Sequence, residues 1–253
     1  MMNDIVILDD ETIEDLQLNG LCLIQKKDAF RFCMDSVLLA DFANIHENDI
    51  VADLGCGNGI IPLLLYGRNK GRLFYAVDLM KESVELAEKN ARLNSIEKQM
   101  IIIHSDAEEV DKHVQRCSVD AVVCNPPYGH YAASMLSPNA QKSKARNQEQ
   151  DTLSRFFKGA FQILKGKGKL FMIYPAQQML YVMQQLQRNH LEPKRFQMIY
   201  PFKDKPANLV LIEAVKDAKP TLHPLPPLII YNRDGSLTNE LKSVYHIQEQ
   251  TGF

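Results

Sequence analysis

The string Asn125-Pro126-Pro127-Tyr128 has the composition of a rigid acceptor turn. Two successive prolines fix φ and carry no backbone N–H, so they stop the apolar run Val119 to Cys124 and leave carbonyls that only accept. An amide oxygen at Asn125 and the carbonyl of Pro126 can together take both N–H bonds of a planar amine. The nitrogen's delocalised lone pair is then aimed in one direction, while the ring of Tyr128 supplies a flat stacking surface. Such a turn suits transfer of a group onto an aryl or amide nitrogen.

A second string, Asp53-Leu54-Gly55-Cys56-Gly57-Asn58-Gly59, follows the apolar run Ile50 to Leu54 and precedes another, Ile60 to Tyr66. Its glycines permit a sharp turn and close approach of backbone to a ligand. The spacing differs from the dinucleotide fingerprint, because position 60 is Ile and the third glycine comes one residue early. An acid at Asp53 opposes a pyrophosphate and suits a cationic amino-acid moiety, which S-adenosylmethionine carries. Asp78 ends the next apolar run at the offset where a carboxylate accepts from ribose hydroxyls. Asp106, followed by Ala107, ends the one after and can accept from an adenine amine. Gly55, Gly57, Asn58 and Gly59 complete this candidate cofactor set. With a methyl sulfonium as donor the reaction needs no strong base, since the proton can leave after transfer.

These strings need a scaffold that brings the ends of several strands to one edge. Segments Ile50 to Leu54, Leu73 to Val77, Met100 to His104, Val119 to Cys124 and Lys169 to Tyr174 alternate with helix-length stretches, as in βαβ units. In the clearest helix Met80, Val84, Ala87 and Ala91 form the buried stripe, leaving Lys81, Glu82, Glu85, Glu88 and Lys89 to solvent. A second helix spans about Ala176 to Asn189. Arg195 to Pro201 and Asn208 to Val215 are too close for a crossover and must pair antiparallel. The reading is an α/β, Rossmann-like class I methyltransferase fold: a mostly parallel seven-stranded sheet, helices on both faces and an antiparallel C-terminal hairpin. Residues 1–48 form a hairpin around Asn19-Gly20 and a helix from Met34 to Ala43, capped by Asp35 or Ser36, packed on the catalytic domain of residues 49–216. Residues 217–253, rich in proline, read as an irregular tail, and 129–150 as a linker-like loop.

The 253 residues are 45% hydrophobic and 24% charged, with no apolar run near the roughly 18 residues of a membrane helix. The acidic N-terminus is unlike a targeting signal, so the expected location is cytoplasmic. The five cysteines lack a C-x-x-C pair and read as buried hydrophobes, with no metal site and no obligate protein partner indicated. Net charge is −2, yet eight basic residues against two acids lie between Ala140 and Leu170. Lys142, Lys144 and Arg146 head that run as candidate phosphate contacts. Arg188, Lys194, Arg195, Lys203 and Lys205 are expected to flank the edge that carries the site. His130 is the one histidine near the candidate site.

Beyond these motifs the chain resembles the bacterial tRNA1(Val) (adenine(37)-N6)-methyltransferases from Leu21 to about Tyr231. The resemblance rests on Gln25 with Phe30 to Ala40, on Leu136-Ser137-Pro138, on Leu191 to Arg195 and on Leu225 to Tyr231. It implies formation of N6-methyladenosine in tRNA with S-adenosyl-L-methionine as methyl donor, and Phe32 and Asp35 as cofactor contacts. One departure is Ala145-Arg146-Asn147-Gln148, where relatives commonly carry Ala-Arg-His-Glu, a change that bears on target choice if this loop touches RNA. Two other activities fit the bare motifs: N5-methylation of a glutamine in protein release factors, whose amide nitrogen is also delocalised, and a non-catalytic scaffold that binds the cofactor or RNA. DNA adenine methylation is disfavoured, since no target-recognition domain is added.

Overall fold

A computed structural model describes residues 5–27, 34–127 and 140–245, and only the helical backbone for residues 140–151. Strands β1 (Glu11–Asp15) and β2 (Cys22–Lys26) form an antiparallel hairpin. Asn19 and Gly20 take φ of 52° and 74° in its turn, the left-handed values this pair is suited to. Helix α1 (Met34–Phe42) follows. Asp35 and Ser36 lie inside its first turn, and any cap precedes it, outside the described residues.

The main sheet contains β3 (Ile50–Leu54), β4 (Leu73–Asp78), β5 (Met100–His104), β6 (Val119–Cys124), β7 (Leu164–Pro175), β8 (Leu191–Phe202) and β9 (Leu209–Lys216). Their order is β5-β4-β3-β6-β7-β9-β8, parallel except for β9, which pairs antiparallel with both neighbours. Helices α2 (Ile60–Gly67), α3 (Lys81–Leu93), α4 (Ala140–Ile163) and α5 (Met179–Arg188) connect the strands. Strand residues alternate between two cores. Val51, Val123 and Phe171 join α1, α2 and α3 on one face, while Ala52, Val122 and Met172 join α4 and α5 on the other. Burial on both faces is why these strands read as continuous apolar runs.

Three expectations change. Residues 140–150 are not loop but the first half of α4, a polar stretch of good helix formers with no apolar spacing to announce it. The segment after Lys216 is not irregular: β10 (His223–Pro224) and β11 (Leu228–Tyr231) pair in line along the outer edge of β8, and α6 (Asn239–Val244) follows. Its prolines are tolerated because an edge strand has one unpaired side. Met80 is exposed as the residue preceding α3, whereas Asn90 joins the buried face with Val84, Ala87 and Ala91. No helix among the described residues is long and apolar enough to cross a membrane.

Candidate functional site

The order of the sheet reverses between β3 and β6, and ligands of such sheets bind in the crevice beyond the strand ends at that reversal. Val51, Ala52 and Asp53 pair with Ala121, Val122 and Val123. Two residues beyond the last pair come Gly55 on one strand and Asn125 on the other. The glycine loop and the Asn-Pro-Pro turn thus leave adjacent strands at one level, about 4.8 Å apart. Pro126 is buried, Asn125 half-buried and Pro127 exposed.

The glycine loop is fixed by its neighbour strand. The N–H groups of Gly55 and Cys56 both donate to the Val77 carbonyl, at 2.8 and 3.0 Å. Asp78 accepts from the Gly57 N–H through Oδ2 and from the Met80 N–H through Oδ1, each at 2.8 Å. Its carboxylate therefore shapes the loop while keeping spare lone pairs for a hydroxyl donor. Gly55, Gly57 and Gly59 have φ of 77°, 55° and 81°. A Cβ at Gly55 would come within 3.0 Å of the Phe156 ring, whereas one at Gly57 would meet only open space. That open side is where a ligand can lie against backbone.

Asp53 is 1% exposed and, among the described residues, neither carboxylate oxygen has a hydrogen-bond partner. Burial, with the charge of Asp78 second, raises its pKa well above the ordinary 3.8. An isolated buried acid of this kind is costly unless a cation completes it. The ammonium of a methionine moiety answers that need, so the residues present fit S-adenosylmethionine. Burial raises the thiol pKa of Cys56 and Cys124, which makes both inert hydrophobes. Cys22 is half-buried and Cys117 exposed, contrary to the expectation for all the cysteines.

Asp106 lies two residues beyond the end of β5 and caps a short 3-10 turn, Ala107–Lys112. Its Oδ1 accepts from the Glu108 N–H at 2.9 Å and its Oδ2 from Arg155 at 2.6 Å. Arg155 and Phe156 bring α4 onto Asp106 and the glycine loop, an arrangement no sequence spacing announced. Another unannounced residue is Asn90, fully buried on α3. Its amide group donates to the carbonyls of Ile24 and Asn58 at 2.9 Å and accepts from the Ile24 N–H at 2.6 Å. Asn94, one turn on, does the same for Cys22. Glu11, nearly buried, pairs with Lys89, which therefore does not face solvent as its position suggested. The hairpin is so tied to α3 and to the glycine loop.

The basic run divides. Arg155, Lys158 and Lys165 are in ion pairs with Asp106, Glu108 and Asp120. Lys142, Lys144 and Arg146 lie on the first turns of α4, with side chains outside the described residues. Phe32, Tyr128, His130 and Leu136 to Pro138 also lie outside them, while Asp35 sits in the first turn of α1. Arg188, Lys194 and Arg195 are at or before the start of β8, the edge opposite the site. Arg195 there pairs with Glu213 at 2.7 Å and lies over the Phe42 ring. Only Lys203 and Lys205 of that group stand at the site's edge.

Comparison with known proteins agrees with this architecture. The chain is 25% identical over 84% of its length to the tRNA1(Val) (adenine(37)-N6)-methyltransferase of Aliivibrio salmonicida, covering 88% of that protein. It is 25% identical over 90% of its length to the enzyme of the same name from Cytophaga hutchinsonii, covering 94% of it. Among solved structures, a predicted O-methyltransferase of Agrobacterium tumefaciens matches with a TM-score of 0.67 at 18% identity, over 84% of this chain and 96% of that one. M. jannaschii TYW2, solved in complex with AdoMet, matches at a TM-score of 0.55 and 16% identity, over 83% and 87%. The family described as Methyltransferase small domain matches residues 34–197, and the chain belongs to it as an S-adenosylmethionine-dependent methyltransferase.

Proposed function

We propose that this enzyme forms N6-methyladenosine in tRNA, with adenine 37 of a valine tRNA as the target. The observation that carries the reading is the adjacency of the glycine loop after β3 and the Asn125-Pro126-Pro127 turn after β6. It joins a site for a methyl donor to a set of acceptors for a planar amine. The similarity, over 84% and 90% of the chain, to relatives named for this reaction supports the choice of RNA over a release-factor glutamine.

In this reading Asp53 holds the donor's ammonium, Asp78 its ribose hydroxyls and Asp106, beside Ala107, its adenine. Phe32 and Asp35 close over the methionine end. Bound S-adenosylmethionine supplies an electrophilic methyl group on a sulfonium. Asn125 and the Pro126 carbonyl accept the two N–H bonds of the target amine, and Pro127 stiffens the turn. Tyr128 stacks on the base, which must leave its own stack to reach the site. Asn125 thereby keeps the lone pair directed at the methyl carbon; the N–C bond would form as the donor's S–C bond breaks, its electron pair staying on the departing thioether, and the amine proton passes to solvent. Lys142, Lys144 and Arg146 contact phosphates.

The test is nucleoside mass spectrometry of tRNA from a strain lacking the gene, before and after complementation. N6-methyladenosine should disappear and return, and a strain complemented with Asn125→Ala should lack it. Purified enzyme that methylates a release-factor glutamine and leaves tRNA untouched would overturn the RNA reading.

A further inference from the structure

Strands β8 and β11 run parallel, with Ile229 paired to Tyr200 and Tyr231 to Phe202. Both end at the edge that carries Asn125, and each is followed by a tight turn. In the first, the Lys205 N–H donates to the Phe202 carbonyl at 3.1 Å; in the second, the Gly235 N–H donates to the Asn232 carbonyl at 3.0 Å. The rings of Phe202 and Tyr231 pack together at 5.4 Å and brace the two turns.

These turns carry Lys203, Lys205 and Arg233, all exposed and with side chains that, among the described residues, have no hydrogen-bond or ion-pair partner. Their state differs from that of most cations among the described residues. Arg155, Lys158, Lys165 and Arg195 are all held by carboxylates. Two acids share the turns. Asp234 is committed to its own turn, accepting from the Ser236 N–H at 2.9 Å and its hydroxyl at 2.6 Å, while Asp204 is exposed. The turn after β8 is fixed beside the end of β7 by the bond from the Ala176 N–H to the Asn208 carbonyl at 3.0 Å. From the end of β6 to the start of β9 and the ends of β8 and β11 is two, three and four strand spacings, roughly 10–19 Å. A nucleotide whose base amine sits at Asn125 has its own and neighbouring phosphates within that span, and flexible lysine stems close the remainder.

We infer that the paired turns after β8 and β11, through Lys203, Lys205 and Arg233, form a phosphate-gripping rim that holds the RNA backbone flanking the target nucleotide. This rests on the RNA reading above and adds a contact surface on the opposite side of the active-site turn from the cofactor loop. A chain ending before β11 would lack its arginine.

The measurement is the salt dependence of affinity for an unmodified tRNA transcript, since each phosphate contact contributes to the slope. The variant K203A/K205A/R233A is compared with R92A/K98A, whose two exposed cations lie at the opposite edge of the sheet and are likewise unpartnered. Three lost contacts should flatten the slope of log K against log salt by about 2, at ~0.7 per phosphate of a single strand. Affinity at low salt should fall about tenfold or more, with cofactor affinity unchanged. R92A/K98A should leave slope and affinity as in the wild type. A triple variant with the wild-type slope, or an equal loss in R92A/K98A, overturns the rim. If the wild type methylates tRNA in that case, the RNA reading survives; a wild type that neither binds nor methylates tRNA removes both.

Discussion

Asp53 is the residue whose energetics reach furthest. Its folded-state pKa is raised above the ordinary 3.8, so between those values the native state binds more protons than the unfolded one. Stability from this group is thus present at low pH and lost as pH rises through the folded pKa. Asp53→Asn removes the penalty. The variant should melt higher than wild type at neutral pH without cofactor, the gap closing as pH falls toward 3.8, and should bind S-adenosylmethionine roughly 10- to 100-fold more weakly, the worth of a hydrogen bond to a charged group. Calorimetry and thermal unfolding across pH check both; a lower melting point with unchanged affinity would sink the assignment. At Asn125 the expected effect lies on turnover. Asn125→Ala should lower kcat on the order of 100-fold while sparing cofactor affinity, as loss of one preorganised acceptor does. Tyr128→Ala should cost about 1 to 3 kcal/mol of base stacking and Tyr128→Phe little, measured as kcat/KM on tRNA.

Among the elements, the N-terminal hairpin takes most of its polar contacts from α3, with one more from Asn19 to the Gly67 carbonyl of α2. Asn90 and Asn94 stand four apart, so one helix face presents two amides at the spacing of Cys22 and Ile24 on β2. Asn90→Ala strands the Ile24 N–H and the carbonyls of Ile24 and Asn58. A buried group left unmade costs about 1 to 3 kcal/mol, so the melting temperature should drop by several degrees and the hairpin should become open to proteolysis. Asn94→Ala should be milder, since water reaches its site. Unchanged proteolysis in Asn90→Ala would mean that the hairpin is held without this residue, by its apolar contacts and by the ties of Asn94, Lys89 and Asn19. Neither asparagine was legible in the sequence, because apolar periodicity assigns helix faces by hydrophobicity and a buried amide counts against them. The parallel strands were legible for the converse reason: burial on both faces leaves an uninterrupted apolar run. The glycine string and the Asn-Pro-Pro turn were legible because they are local, with spacing and chemistry fixed within a few residues. The Arg155–Asp106 pair joins positions 49 apart and has no local signature. The first half of α4 was missed because helix-forming polar residues carry no burial pattern.

At the scale of the molecule, the chain after Lys216 decides whether the sheet is finished. Its proline content reads as a surface tail, yet it places Leu228, Ile230 and Leu241 in the core, covers the outer edge of β8 and receives the Arg68 guanidinium at the Val244 carbonyl, 2.8 Å away. Burying three such aliphatic side chains is worth about 5 to 9 kcal/mol, at roughly 1.5 to 3 each. That approaches the whole stability of an ordinary domain, about 5 to 15 kcal/mol. Removing it also uncovers the outer edge of β8 from Arg195 to Phe202, a template for pairing with other chains. A protein ending at Lys216 should therefore be expressed largely as aggregate, and any soluble fraction should lack a cooperative melting transition. Replacing Leu241 with Ala in the full chain is the gentler version: a fully buried leucine lost from α6 should cost about 2 to 5 kcal/mol and lower the melting temperature by roughly 5 to 15 °C, with the fold retained. If the truncated chain instead melts cooperatively within a few degrees of the full one, the segment is an appendage and β8 needs no cover.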